Sequence, residues 1–164
     1  DNAKFINFFH ILSPHPPYTY NADCTLKNNA TFEFDPNSLS ALTTQEHKQL
    51  YIDQIECLNK KLIKSLDIIL DKDPNAIVVF QADHGDTKGI TLKNQDELYN
   101  AKLSILNAIR IPDVDYMSKY WQDNLSPVNT FRLILGFMKN KEPEFLPNRH
   151  FIKDGNTISE IEIK

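Results

Sequence analysis

Apolar positions in this chain come in short dense runs separated by polar stretches, and the spacing within each run predicts an element. Residues Lys4 to Leu12 read KFINFFHIL, β-rich and apolar without a helical period, which predicts a buried strand. The run stops at Ser13-Pro14-His15-Pro16-Pro17. Three prolines there can neither continue a strand nor enter a helix interior, so a stiff loop is expected. Tyr20 to Ala41 is polar and rich in Asn, Asp and Thr, and predicts an extended surface excursion.

Thr43 and Glu46 match a capping box, in which each side chain satisfies a backbone N–H at a helix start. Tyr51, Ile55, Leu58, Leu62, Leu66 and Ile69 follow at three- and four-residue steps, one apolar stripe on an amphipathic helix. Pro74 lies beyond its end. Ala76 to Ala82 (AIVVFQA) is continuously apolar, as in strands of parallel sheets covered on both faces. Strand, helix and strand together suggest a right-handed βαβ crossover. Thr87 to Lys102 is polar and reads as a partly mobile connection, and Leu103 to Ile111 is a further strand ended by Pro112. Asp115 to Trp121 carries no decisive pattern. Ser126 as N-cap and Pro127 at the first helical position open a second helix, with Phe131, Ile134, Leu135 and Met138 as its apolar face. An Asp154-Gly155-Asn156 turn between Phe151-Ile152 and Ile158 to Ile163 predicts a terminal hairpin. No internal repeat or low-complexity linker divides residues 1–164, so one unit is expected.

Composition narrows the function classes. Hydrophobic residues make up 41% and charged residues 24%, which are ordinary globular values. The net charge of −4 comes without a basic stripe, so nucleic acid is not an expected partner. Lys60, Lys61 and Lys64 share their helix with Asp53, Glu56 and Asp67 and read as a solvated face. No segment approaches the ~20 apolar residues of a membrane span, and the chain enters its first apolar run by Phe5 as if cut from something longer. Cys24 and Cys57 are either two unrelated thiols or one disulfide between the first loop and the long helix.

Two groups of residues at predicted strand ends could carry chemistry, since ligands of open α/β sheets collect at that edge. Asp83-His84-Gly85 offers a carboxylate and an imidazole, donors suited to a divalent metal such as zinc or manganese. Gly85 supplies freedom for the kink that would bring both side chains to one site. The plainer reading of the same residues is a strand-ending turn. His15, flanked by prolines, is either a surface histidine or an imidazole prepositioned to meet an anionic oxygen or a leaving group. His10, His47 and His150 read as structural, Asp86 as solvent-exposed or a further carboxylate at the site, and Arg110 and Arg132 as salt-bridge partners or anion contacts. Gly-rich phosphate loops, a Gly-x-Ser-x-Gly elbow and a His-Glu-x-x-His pair are all missing from the sequence.

The order of the pieces is more specific than any one of them. FFHILSPHPPY is followed by Tyr51-x-x-Gln54-x-x-Cys57-x-Asn59, VVFQADHGD, SILNAIRIP, LSPVNTFRLIL and Leu146-Pro147-Asn148-Arg149. From about Phe5 to about Phe151 this resembles the C-terminal part of the sulfatase-like branch of the alkaline-phosphatase superfamily, in particular its bacterial membrane-anchored or periplasmic members. The resemblance implies an α/β fold, with residues 1–164 forming the C-terminal half of a larger domain, an α/β/α sandwich around a mostly parallel sheet. It implies metal-dependent hydrolysis or transfer of sulfate or phosphate esters, with Asp83 and His84 as metal ligands and His15 as the histidine that contacts substrate or leaving group. The implied cofactor is a divalent metal (zinc, manganese or calcium). The implied substrate is a small-molecule, lipid head-group or glycan ester.

By the same resemblance the nucleophile and the early acidic ligands lie upstream of Asp1, which leaves residues 1–164 alone inactive. The parent protein is expected in the periplasm or otherwise outside the cytoplasm, anchored in the inner membrane through the upstream segment. That setting favours a Cys24–Cys57 disulfide. Self-association through an exposed sheet edge is a further expectation. The alternative to an enzyme is a non-catalytic binding or scaffolding domain of the same fold.

Overall fold

A computed structural model describes residues 6–28, 30, 42–85 and 95–161. Its contacts gather into two compact units, one running to Lys64 and the other from Ser65.

The first unit is built on the helix predicted after Thr43, here α1, Thr44–Lys72, which continues beyond the unit. Its capping box forms. The Thr43 N–H donates to Glu46 Oε2 at 2.9 Å, and the Glu46 N–H donates to Thr43 Oγ1 at 3.2 Å. The backbone N–H and then the hydroxyl of Thr43 hold the Glu46 carboxyl below its ordinary pKa. The predicted apolar stripe is half-buried from Tyr51 to Leu66 and exposed at Ile69. The deeply buried positions of α1 are instead His47, Gln54 and Cys57, which seven- and three-residue steps place on one face. Residues 13–28 turn over that face. Lys27 N–H donates to Thr19 O, Cys24 N–H donates to Asn21 O, and Tyr20 and Leu26 form an isolated antiparallel bridge. Cys24 and Cys57 form the disulfide, with Cα atoms 4.9 Å apart.

The second unit packs two small sheets and three further helices. Strand β1, Val78–Gln81, pairs antiparallel with β2, Asn107–Arg110, so that Val78 faces Arg110 and Gln81 faces Asn107. Between them runs α2, Gln95–Leu103, and after them α3, Val114–Tyr120, and α4, Pro127–Met138. The core is Ile111, Leu125, Leu133 and Ile134, covered by Ile77, Val79, Ile109, Tyr116, Met117 and Phe137 among others. Asp113 caps α3 by accepting from the Tyr116 N–H. The Tyr116 hydroxyl donates to Leu133 O at 2.9 Å, and burial pushes its pKa up. A Cβ on Gly136 would stand 2.5 Å from that hydroxyl, so glycine lets α4 lie close. The predicted hairpin is present as β3, His150–Asp154, and β4, Thr157–Ile161. Gly155 at φ 56° turns it, in the left-handed region that glycine enters without a Cβ clash.

Several expectations are corrected. The fold is a small mixed α+β arrangement and not an α/β/α sandwich around a mostly parallel sheet. Among the described residues both sheets are two-stranded and antiparallel. Val78, Val79 and Phe80 are all half-buried, which is what continuous apolarity reports. Strand direction is set by the connection, and here the chain returns alongside β1. Residues 6–12 form no strand, and Ile6, Phe8 and Phe9 are 94%, 88% and 78% exposed. Apolar character favours burial, but a strand also needs a neighbour's backbone groups, and none among the described residues pairs with this run. The strand expected from Leu103 is confined to Asn107–Arg110, because α2 extends through Leu103. Residues 95–102, expected in a connection, belong to that helix. Residues 31–41 of the expected surface excursion, and 86–94, lie outside the described residues.

The apolar face of α4 is corrected as well. Phe131 is 66% and Met138 60% exposed, Leu135 is exposed, and Ile134 alone of the predicted four is buried. The helix turns Asn129, Thr130, Leu133, Ile134 and Gly136 inward. Asn129 can be buried because its side chain both donates to Leu146 O and accepts from Leu146 N–H, at 2.9 Å each. Ser126 holds the N-cap position and Pro127 the first turn as predicted, though the Ser126 hydroxyl makes no capping bond.

Candidate metal centre and the histidine loop

Strand β1 delivers Asp83 and His84 just past its C-terminal end. Ala82 N–H donates to Leu106 O, and Gly85 N–H donates to Lys102 O at the end of α2. A Cβ on Gly85 would collide with the backbone oxygens of Ala101 and Ser104. Glycine is therefore required here by close approach, and not by a positive φ as in the hairpin turn.

Both side chains at this turn are exposed. Asp83 Oδ1 accepts from the His84 N–H at 3.0 Å, while Asp83 Oδ2 stands 3.9 Å from His84 Nε2. His84 Nδ1 lies 3.0 Å from Gly85 O. A carbonyl only accepts, so Nδ1 carries the proton in that contact and Nε2 carries the lone pair of the neutral ring. The adjacent residues thus present one carboxylate oxygen and one imidazole nitrogen toward each other. Two ligands on a tetrahedral zinc with bonds of about 2.0–2.1 Å would stand roughly 3.3 Å apart. At 3.9 Å the two atoms stand farther apart than that, so a side-chain rotation would be needed for both to reach one ion. Among the described residues no three His, Cys, Asp or Glu side chains gather into a ligand set, and Asp86 lies outside them.

His15 sits in the first unit, on the proline loop, with its side chain exposed. Its Nδ1 lies 2.8 Å from Pro16 O, which again leaves the lone pair of the neutral ring on Nε2. The loop is fixed to α1 by groups that the apolar pattern does not reveal. Gln54 bonds to the loop backbone, the Tyr18 hydroxyl meets His47 Nε2 at 3.1 Å, and Lys60 Nζ donates to Ala22 O at 2.7 Å. Lys27 and Asp53 form a partly buried ion pair at 2.6 Å, and that bond holds the Asp53 carboxyl below its ordinary pKa. Of these residues Gln54 stood out in the sequence through the spacing Tyr51-x-x-Gln54-x-x-Cys57, and Tyr18 as the end of FFHILSPHPPY.

Among the other residues considered, Arg110 donates to Ala76 O and Pro74 O, and Arg132 to Glu144 O, so both hold backbone carbonyls. No described helix is long and apolar enough to cross a membrane. No family model matches the chain, and no curated protein or solved structure is significantly similar to it. The family resemblance therefore rests on the ordered motifs alone.

Proposed function

We propose that this chain is the C-terminal portion of a metal-dependent hydrolase or transferase that acts on sulfate or phosphate esters. The observation that carries the reading is the Asp83–His84 pair. Two exposed donors of complementary type lie 3.9 Å apart on a turn pinned by Gly85, at the end of a strand. Such chemistry belongs to the site and does not require a parallel sheet.

Asp83 Oδ2 and His84 Nε2 would hold the cation. A bound divalent metal supplies positive charge to the ester oxygens as negative charge develops on them. His84 is held for this role by its Nδ1 contact to Gly85 O. His15 keeps the leaving-group or substrate contact that the family resemblance implies, and its Nδ1 contact with Pro16 O fixes the ring. The nucleophile is assigned to the preceding part of the whole protein, so residues 1–164 alone turn over little. The Cys24–Cys57 disulfide supports an extracytoplasmic setting, because such bonds persist where the compartment is oxidising. Small-molecule, lipid head-group and glycan esters are the substrate classes that follow.

The test is turnover of aryl sulfates and aryl phosphate esters by the whole protein and by its Asp83→Ala and His84→Ala variants. The expected loss is about 100-fold or more in kcat/KM for each variant, since metal ligands act on the transition state. Full activity in both variants would sink the proposal. Metal binding at this pair without any ester turnover would identify a non-catalytic binding domain.

A further inference from the structure

We propose that Gln54 is the positioning residue of the His15 loop, an inference that rests on the role of His15 given above. The loop cannot place itself. Pro14, Pro16 and Pro17 carry no N–H, so the segment around His15 has few donors with which to bond to its surroundings. Local bonds tie His15 to its own neighbours, from His15 N–H to Leu12 O at 2.8 Å and between His15 Nδ1 and Pro16 O at 2.8 Å. The position of the loop over α1 must be set by groups outside it.

Gln54 is built for that. Its residue is 3% exposed, and its amide is used on both sides. Oε1 accepts from the N–H groups of Thr19 and Tyr20, at 3.1 Å each, and Nε2 donates to Pro17 O at 3.1 Å. The orientation of the amide is fixed by chemistry, because the two N–H groups only donate and the carbonyl only accepts. Pro17 is two residues from His15, and the rings of Pro16 and Pro17 restrict the backbone between them. A hold on Pro17 O is therefore passed to the imidazole through a stiff tether.

The rest of the loop is anchored separately. Cys24 is bonded to Cys57, and Lys60 holds Ala22 O. Tyr18 keeps its own contact with His47 Nε2, so loss of the Gln54 amide should loosen the backbone at Pro17, Thr19 and Tyr20 while the later turn stays in place. A carboxylate at this position could still accept from Thr19 and Tyr20, but it could not donate to Pro17 O unless protonated.

The experiment compares the whole protein with Gln54→Met, Gln54→Glu and His15→Ala. It reads kcat and KM separately, the pH profile of kcat, and amide hydrogen exchange at Thr19 and Tyr20. Gln54→Met is expected to lower kcat about 10-fold with little change in KM, to displace the pH limb that depends on His15, and to speed exchange at both amides. Gln54→Glu should keep more of kcat than Gln54→Met and gain further as pH falls, when its carboxyl can donate to Pro17 O.

If His15→Ala lowers kcat while Gln54→Met leaves kcat and its pH profile native, the positioning role is wrong. The same holds if Gln54→Met lowers only the melting temperature. A silent His15→Ala would instead overturn the functional reading of His15 and this positioning role with it. Unchanged exchange at Thr19 and Tyr20 in Gln54→Met would refute the hold itself, whatever the activity.

Discussion

In α1 the most deeply buried side chains are His47, Gln54 and Cys57, whereas α4 buries Leu133 and Ile134 beside the polar Asn129 and Thr130. The first unit is fastened by a disulfide, a shared amide and an ion pair, each dependent on particular atoms meeting. The second is fastened chiefly by apolar contact among Ile111, Leu125, Leu133 and Ile134. Apolar contact is non-directional and tolerates changes of partner so long as volume is kept. A polar clamp does not, because a buried donor left without its acceptor costs more than the bond contributed. The proline loop that bears His15 is held by the polar kind of fastening.

The difference can be tested by breaking each fastening in turn. Leu133 is fully buried at the centre of the second unit, and Leu133→Ala should destabilise that unit by about 3–5 kcal/mol through lost burial and a residual cavity. Chemical denaturation followed at Trp121 measures it, and a loss under about 1 kcal/mol would mean the site collapses without penalty. Replacing both cysteines by serine opens a loop of sequence separation 33 and should cost the first unit about 4 kcal/mol. Amide exchange in residues 13–28 reads this, with the second unit unaffected if the fastenings are as different as they look.

The smallest effect is the pH dependence of the Lys27–Asp53 pair. Asp53 has a folded pKa below its unfolded value, so its contribution is present above the ordinary carboxylate pKa and lost as pH falls through the depressed value. Stability of the first unit should drop by up to about 1 kcal/mol more than in Lys27→Met as pH falls below about 4. Identical acid profiles for the two proteins would show that the pair contributes nothing.

How much of this was legible follows the same division. Thr43 and Glu46 announced the start of α1, Ser126-Pro127 that of α4, and Asp154-Gly155-Asn156 the hairpin, because caps and turns are short-range and carry their chemistry in adjacent residues. The sequence did not reveal which face of α4 turns inward. Phe131 and Met138 are more apolar than Asn129 and Thr130, yet Asn129 pairs with Leu146 across a gap of 17 residues and Gly136 admits Tyr116. The run Ile6 to Leu12 shows the converse, since its apolar pattern says nothing about which backbone would pair with it. Asp83, His84 and His15 stood out in the sequence as candidates for chemistry. The hold on the His15 loop did not, because Gln54 acts on backbone atoms of Pro17, Thr19 and Tyr20, which no side-chain pattern records.

The most direct test of the account is a zinc or manganese titration of this chain, followed by the nitrogen resonances of the His84 imidazole. The predicted result is weak binding that displaces Nε2 of His84 while Nδ1 keeps its hydrogen-bonded proton, and that disappears in Asp83→Ala. A His84 ring unmoved by metal, or moved equally in Asp83→Ala, would contradict the assignment of this pair as a metal site.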